Sequence, residues 1–340
     1  MKKIIRSVLA AAFAVAFVSS FGASQAKAQD TIRVGTADTL GAEDLVLLIG
    51  FENAKARGVK IEVTPFKSDD VVFQAIINGQ MDIGIGVAYK MIQVLKAPIR
   101  HFYQLRRLAY FPVVNKEFYK TWKDLDGQDM AVHSRGSGTE ALARLMESLH
   151  GIKFKRMTYV PGSEVRAIAM RRGNIKATYL DLTRTRLLTT EDPKRFGVLP
   201  AGKQSASDEV LYASTDFLKK NGDAIGIIVE EVLRAARRMN ADPTSLAAVR
   251  ERMNLLAELP KNLSEEITSY HIQAAMAGLF SPNGGGEGAA RADFEFLTSA
   301  GRLDGDLKTL DVAKFWDLGP LNTALGKMGY VDIDYSITQK

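Results

Sequence analysis

The 340-residue sequence contains no cysteine. That absence removes disulfides, thiol nucleophiles, and zinc or iron–sulfur sites built on thiolates. Histidine is scarce: the four are His101, His133, His150 and His271, and no two have the i, i+4 spacing of a helical zinc pair. No Gly-x-Ser-x-Gly elbow is present, and His133 and Ser134, as neighbours on a strand, point to opposite faces, which is poor geometry for a Ser–His nucleophile. The glycine-rich run Ser281–Gly288 lacks a Gly-Lys-Ser/Thr ending and follows no strand, so it reads as a mobile surface loop rather than a phosphate loop. Long hydrophobic runs are missing as well. Beyond the first 28 residues nothing approaches the ~20 apolar residues that a membrane-spanning helix needs.

Charged residues at 25% and hydrophobic ones at 46% describe a soluble globular chain. The formal charge of +6 suggests a basic protein, but the charge is unevenly placed. Lys2, Lys3 and Arg6 precede an apolar run from Val8 to Val18, and Ala26-Lys27-Ala28 closes the stretch with a small-x-small pattern. Residues 1–28 therefore read as a secretory signal peptide. Four of the 45 lysines and arginines lie there and none of the 39 acids, so 41 basic residues face 39 acidic ones in the remainder. Such a balance is not the basic footprint of a nucleic-acid binder. No cysteine follows the apolar run to carry a lipid, and the expected product is a soluble periplasmic protein, not a lipoprotein.

From residue 31, strand and helix signals alternate. Thr31–Gly35, Val59–Pro65 and Met81–Val87 read as strands, separated by helical patterns that stop at Gly58 and Gly79. The scheme recurs with strands at Asp129–His133, Met157–Val160 and Ile175–Leu180, and helices at Thr139–Leu149 and Ser163–Arg172. Phe73–Ile85 and Val165–Tyr179 look like two copies of one helix–Gly–strand unit. From Asp216 the chain is mostly helical, with Ile225, Ile228, Val229, Val232, Leu233, Ala236 and Met239 on one apolar face. This is an α/β pattern with parallel sheets.

The order of segments resembles the periplasmic solute-binding proteins of ABC importers (type II periplasmic binding proteins), in the branch with nitrate-, sulfonate- and thiamine-precursor-binding members. Phe73–Gly86 (FQAIINGQMDIGIG), Trp122–Thr139 (WKDLDGQDMAVHSRGSGT) and Val210–Pro243, behind the first strand and the signal peptide, carry the likeness. The resemblance implies two lobes, each a mostly parallel sheet flanked by helices, with two crossings between them. It places the first part of lobe 1 at 29–115, lobe 2 at 116–214 and the second, mostly helical part of lobe 1 at 215–340, with hinges near Val113–Lys116 and Val210–Thr215. The implied partners are a small-molecule ligand and an ABC permease in the inner membrane, with no nucleic acid, for a protein acting as a monomer. No cofactor, metal or catalysis is expected; the catalytic relatives, pyrimidine synthases, use a cysteine-rich motif that this chain lacks. A ligand-sensing subunit of a membrane receptor, or of another permease type, remains the alternative.

Ligands of open α/β sheets bind beyond the carboxyl ends of strands, beside helix N-termini. That rule selects Thr36, Asp38 and Thr39 after the first strand, Phe66, Lys67 and Ser68 after the second, and Val87 and Tyr89 after the third. In lobe 2 it selects Ser134, Arg135, Gly136, Ser137, Gly138 and Thr139, then Asp181 and Thr183. Ser137-x-x-Glu140 is also a capping box, Asp38 is equally a helix cap, and aromatics such as Phe66, Tyr89 and Tyr179 serve either ligand or core. Lys67, Lys90, Arg135, Arg184 and Arg186 nearly balance Asp38, Asp69, Asp70 and Asp181. The serine- and glycine-rich helix start, with the sulfonate and carboxylate binders of the family, favours an anionic ligand; a cationic or neutral nitrogen compound is the alternative.

Overall fold

The structure, a computed structural model, describes residues 30–37, 39–201, 206–259 and 261–332, with the backbone alone for 261–265. The expected signal peptide and Asp38 lie outside the described residues. Ten strands form two sheets: β1 (Ile32–Thr36), β2 (Ile61–Pro65), β3 (Ile83–Gly86), β4 (Ile99–Arg107), β5 (Tyr110–Asn115), β6 (Asp129–Val132), β7 (Arg156–Tyr159), β8 (Ala177–Asp181), β9 (Phe196–Val198) and β10 (Ser207–Ser214). The first sheet has the order β2-β1-β3-β10-β4 and the second β7-β6-β8-β5-β9.

The two sheets follow one plan. β2, β1 and β3 pair in parallel, and β10 runs against both β3 and β4. In the second sheet β7, β6 and β8 pair in parallel, and β5 runs against both β8 and β9. The reversed strand of each sheet is the one that enters from the other lobe: β4 leads to β5, and β9 leads to β10. Each sheet is thus mixed, with four strands in one direction and the incoming strand opposed. The two helix–Gly–strand units occupy equivalent places, since Asp69–Ile77 feeds β3, Ser163–Arg171 feeds β8, and each of these strands borders the reversed one.

The lobe boundaries differ from those expected. β5 belongs to the second sheet, although residues to 115 were assigned to lobe 1, because Val113 and Val114 pair with Thr178 and Ala177 of β8. β10 belongs to the first sheet, although residues to 214 were assigned to lobe 2, because Val210–Ala213 pair with β3. The crossings therefore lie between β4 and β5 and between β9 and β10. They precede the expected hinges, of which residues 113–115 and 210–214 are strand residues inside the sheets.

Helix Gly138–His150 starts on Ser137, whose hydroxyl accepts from Glu140 N, and buries Leu142, Leu145 and Met146, while Leu149 is exposed. Helix Gly222–Ala241 buries all seven residues of its expected face. It packs on helix Leu45–Ala56 at Gly50, where an added Cβ would sit 2.6 Å from Val232 Cγ2 and 2.7 Å from its Cα. Ser281–Gly288 is not a surface loop: Ser281 is buried, Gln104 N donates to Gly284 O, and a Cβ on Gly285 would lie 2.6 Å from Gln104 Cβ. Polar groups are buried here too. Asp293 is 1% exposed and accepts from Tyr89 Oη, Ser207 N and Ser207 Oγ, tying the first residue of β10 to helix Gly286–Ser299.

The close approach at Gly50 generates a prediction. Gly50→Ala pushes a methyl group into the backbone of the partner helix and should cost about 1–3 kcal/mol, read as a lower urea midpoint with unchanged slope.

Candidate functional site

The carboxyl ends of β1, β3 and β6 converge between the lobes on a cavity of about 40 Å³. Lobe 1 contributes Ala37, Asp69, Val87, Asp208 and Glu209, and lobe 2 contributes Tyr110, His133, Gly136, Ser137, Gly138 and Thr139. A second cavity, about 20 Å³, continues toward the first crossing and is lined by Glu43, Arg106, Tyr110, Asp181 and Asp208 among others. The space holds about one water, because the lobes are closed on each other. Ser134 Oγ donates to Asp69 Oδ2 at 3.1 Å, Arg186 Nη1 to Ser269 Oγ at 3.0 Å, and Arg302 Nη1 lies 2.8 Å from Glu140 Oε2. A much larger cavity, about 1070 Å³, lies elsewhere, lined by residues at the crossings and in the C-terminal helices, including Leu108, Leu199 and Leu321. Carboxylates from both lobes, among them Asp69, Asp208, Glu209 and Asp181, line the small cavities, whereas Arg107 and Glu287 are the charged residues lining the large one.

The turn after β6 is built by its own hydroxyls. Ser137 Oγ donates to Ser134 O at 2.8 Å and accepts from Ser134 N and Glu140 N, and Thr139 Oγ1 accepts from His133 N at 2.9 Å. The hydroxyls therefore shape the turn first. His133 Nδ1 accepts from Gly162 N at 3.3 Å, which places the proton of the neutral ring on Nε2. Burial, with Arg166 nearby, holds this histidine down to about 4, so it is neutral at physiological pH.

Carboxylates dominate the rest. Arg106 is buried and pairs with Asp208 at 2.7 Å, Glu209 at 3.1 Å and Asp44 at 3.4 Å. On a regular strand Asp208 and Glu209 would face opposite sides. The pairing of β10 with β4 shifts register between Ser207 and Glu209 and again before Val210, and this bulge brings both acids to one guanidinium. Burial, with Asp208 and Asp70 adding repulsion, pushes Asp69 up to about 6 against the opposing hydrogen bond from Ser134. Burial and neighbouring Asp44 push Glu43 up to about 7. Asp208 is raised by burial, with Arg106 opposing. No lysine or arginine lines the first cavity among the described residues.

The residues expected at the site divide into groups. Val87, Gly136, Ser137, Gly138 and Thr139 line the main cavity, Ser134 bridges the lobes at its rim, and Asp181 lines the second cavity while capping its helix through Arg184 N. Thr183 lines a crevice with Gly41 and Arg184. Thr36 is buried at the end of β1, Ser68 precedes helix Asp69–Ile77, and Thr39 and Lys67 are exposed. Phe66 packs on the core. Tyr89 is a core residue: its hydroxyl is held by Asp293 at 3.0 Å and Trp316 at 2.5 Å, so burial with full hydrogen bonding takes it from the ligand. Arg135 is exposed, its guanidinium 5.5 Å from the Tyr159 ring centroid, and does not line either cavity. The residues that sequence reasoning missed are Tyr110, His133, Asp208 and Glu209, three of them on the crossing strands. The Asp208-Glu209 pair ahead of an apolar run is the one signal that marks them.

This two-lobed architecture, closed over a polar cavity, matches known proteins. The NMT1/THI5-like family model matches residues 54–245. The chain belongs to this family. In fold it is similar to the nitrate-binding protein NrtA of Synechocystis (TM-score 0.67, 13% identity, covering 88% of this chain and 89% of that one). It is also similar to the ligand-binding component of an ABC-type import system from Staphylococcus aureus (0.65, 14%, 87% and 99%), and to the aliphatic sulphonate-binding protein SsuA of Escherichia coli (0.60, 20%, 84% and 92%). No curated protein sequence matches the chain. The expected periplasmic-binding-protein fold is therefore the observed one. No helix among the described residues is long and apolar enough to cross a membrane.

The raised carboxyl group at Asp69 gives a test with a defined sign. An unfolded aspartate titrates near 4, so a folded value of about 6 means Asp69 stabilises the fold below pH ~4, and this contribution is lost as pH rises through 6. His133 acts oppositely: its contribution is present above its unfolded value near 6.5 and lost as pH falls toward 4. Asp69→Asn removes only the first term. The variant should gain stability relative to the parent chain as pH rises from 4 to 7, measured by thermal unfolding at fixed ionic strength; a constant difference would remove Asp69 from the desolvated site.

Proposed function

We propose that the protein is an exported carrier that closes its two lobes on a small solute and presents it to an ABC-type membrane importer. Export through residues 1–28 would place it in the periplasm. Membership of the NMT1/THI5-like family, the two-lobed fold shared with import-system binding proteins, and a cleft lined from both lobes support this reading. Contacts made only when both lobes meet the solute favour the closed state, and an importer that reads closure then distinguishes loaded from empty carrier. The role needs no bond to be made or broken.

The solute we propose is a small cation or an amine-bearing nitrogen compound, not the anion that the serine- and glycine-rich turn favours in the sequence. The observation that carries this choice is the placement of Asp69, Asp208 and Glu209 around one cavity without a lining lysine or arginine. An anion entering that cavity meets acceptors it repels. Three features that favoured an anion do not serve one: Arg135 stacks on Tyr159, Ser137 caps its own helix, and Glu140 Oε2 accepts from Gly136 N. A cation instead offsets the burial that, with repulsion from Asp208 and Asp70, raises Asp69.

Calorimetry with matched panels of small amines and amidines on one side, and sulfonates and carboxylates on the other, tests the choice. Native mass spectrometry of protein purified without denaturation identifies any retained solute. Binding should come from the cationic panel, weaken as pH falls through 6, and drop by roughly 10- to 100-fold in Asp208→Asn if a charged hydrogen bond is lost. Binding confined to sulfonates would overturn the proposed ligand class. A chain that binds neither panel and retains no solute would overturn the carrier itself.

A further inference from the structure

Arg302 follows helix Gly286–Ser299, which packs on β4 and β10 of lobe 1, and its backbone N–H donates to Leu297 O at 2.7 Å. Its side chain crosses to lobe 2 and meets Glu140 at 2.8 Å. Both partners are shielded, with side chains 12% and 3% exposed. Glu140 has other duties. The same Oε2 that receives Arg302 accepts the N–H of Gly136 at 2.7 Å, and Oε1 accepts from Tyr159 Oη at 3.2 Å. Gly136 has φ +91, a conformation that residues with a Cβ seldom adopt, and a Cβ built there would lie 3.5 Å from Arg302 Nη2. Arg302 thus lies against the turn Ser134–Gly138 that forms one wall of the cavity, and holds the carboxylate that pins this turn.

We infer that Arg302 is a positioning residue for the solute: it latches lobe 1 to the Glu140 carboxylate of lobe 2 and so sets both the shape of the binding turn and the population of closed protein before any solute arrives. The inference rests on the carrier reading, and assigns to a residue outside the cavity part of the affinity that the cavity displays. With the lobes apart, Glu140 keeps its local partners, Gly136, Tyr159 and Arg144, the last at 4.0 Å, but loses the close guanidinium from the other lobe. The closed state alone supplies that charge. Apparent affinity for a solute that needs the closed lobes scales with the closed fraction, so a latch of this kind tunes affinity without touching the ligand. Breaking one partner of a shielded pair is costly because the other charge stays behind. The neighbouring cross-lobe bond, from Ser134 of the same turn to Asp69 of lobe 1, involves one charge.

The absence of cysteine allows a ligand-free test on the whole mature chain. Lys60→Cys in lobe 1 and Lys155→Cys in lobe 2, both exposed, accept a donor and an acceptor dye with no competing thiol. Single-molecule energy transfer then reads the closed-to-open ratio. Arg302→Ala and Arg302→Gln should each lower that ratio about tenfold or more, Arg302→Lys should restore part of it, and either variant combined with Glu140→Gln should add little to the single changes. An unchanged ratio in both Arg302 variants, or effects of Arg302 and Glu140 that simply add, would overturn the latch. Circular dichroism separates opening from unfolding, and Glu140→Gln alone keeps the test valid if the Arg302 variants do not fold. The readout uses no solute, so a failed latch leaves the carrier reading intact, and a failed solute panel leaves the latch standing.

Discussion

A single buried guanidinium organises the centre of the molecule. Arg106 is the penultimate residue of β4, at the point where the chain leaves lobe 1, and is 7% exposed. A cation removed from water must be compensated by groups held close to it, and here Asp44, Asp208 and Glu209 perform that task. These partners come from the first helical turn after β1 and from the bulged start of β10, so neutralising one charge fixes the exit of the first crossing against the return of the second. Three carboxylates around one guanidinium leave an excess of negative charge. The excess faces the cleft, where Asp69 and Glu43 add further carboxyl groups whose proton affinity is raised first by burial and then by neighbouring carboxylates.

Such an arrangement makes the cleft expensive to leave as it is. Desolvated carboxylates gathered in one place are stabilised by protons, by arginines or by an incoming cation, and Arg106 serves three of them in the closed form. A solute that brings positive charge therefore has a differential interaction with the closed lobes, which is what coupling of binding to closure requires. His133, kept neutral by burial, adds a hydrogen bond donor without adding charge.

Much of this architecture is legible in the chain, and what is hidden is hidden for identifiable reasons. Helix Gly222–Ala241 announces itself through period-3.6 burial, and the glycine stops at 58, 79, 151 and 173 all fall at helix ends, where φ is positive. The strands β1, β2, β3, β6, β7 and β8 lie where alternation and β-branched residues place them. The crossing strands do not follow those rules. β4 buries His101, Gln104 and Arg106 among its apolar residues, so its pattern reads as mixed polarity, while β10 carries a bulge that breaks period two at the acids. A strand whose buried Gln104 and Arg106 find partners on β10, about a hundred residues away, cannot be recognised from its own composition. The same holds for the cleft. Counting loop charges gave a near balance because Arg135 and Lys67 were included, yet both point to solvent, whereas Asp208 and Glu209 were outside the loops that the strand-end rule selects. The sign of the field in a site depends on which side chains fold into it, and that is a tertiary property.

The place of β10 in the sheet has a consequence for the order of assembly. β10 lies between β3 and β4, so before residue 207 has joined, lobe 1 is a three-stranded piece and a further strand that does not pair with it. Lobe 2 has no such dependence: β5 to β9 run from residue 110 to 198 without interruption, and every strand it needs is present when that span is complete. The contacts that close lobe 1 join residues more than a hundred positions apart, a separation that slows folding through the entropy of loop closure. The inserted lobe is thus the one able to fold early and alone, and it shortens the effective distance that the two halves of its host must bridge.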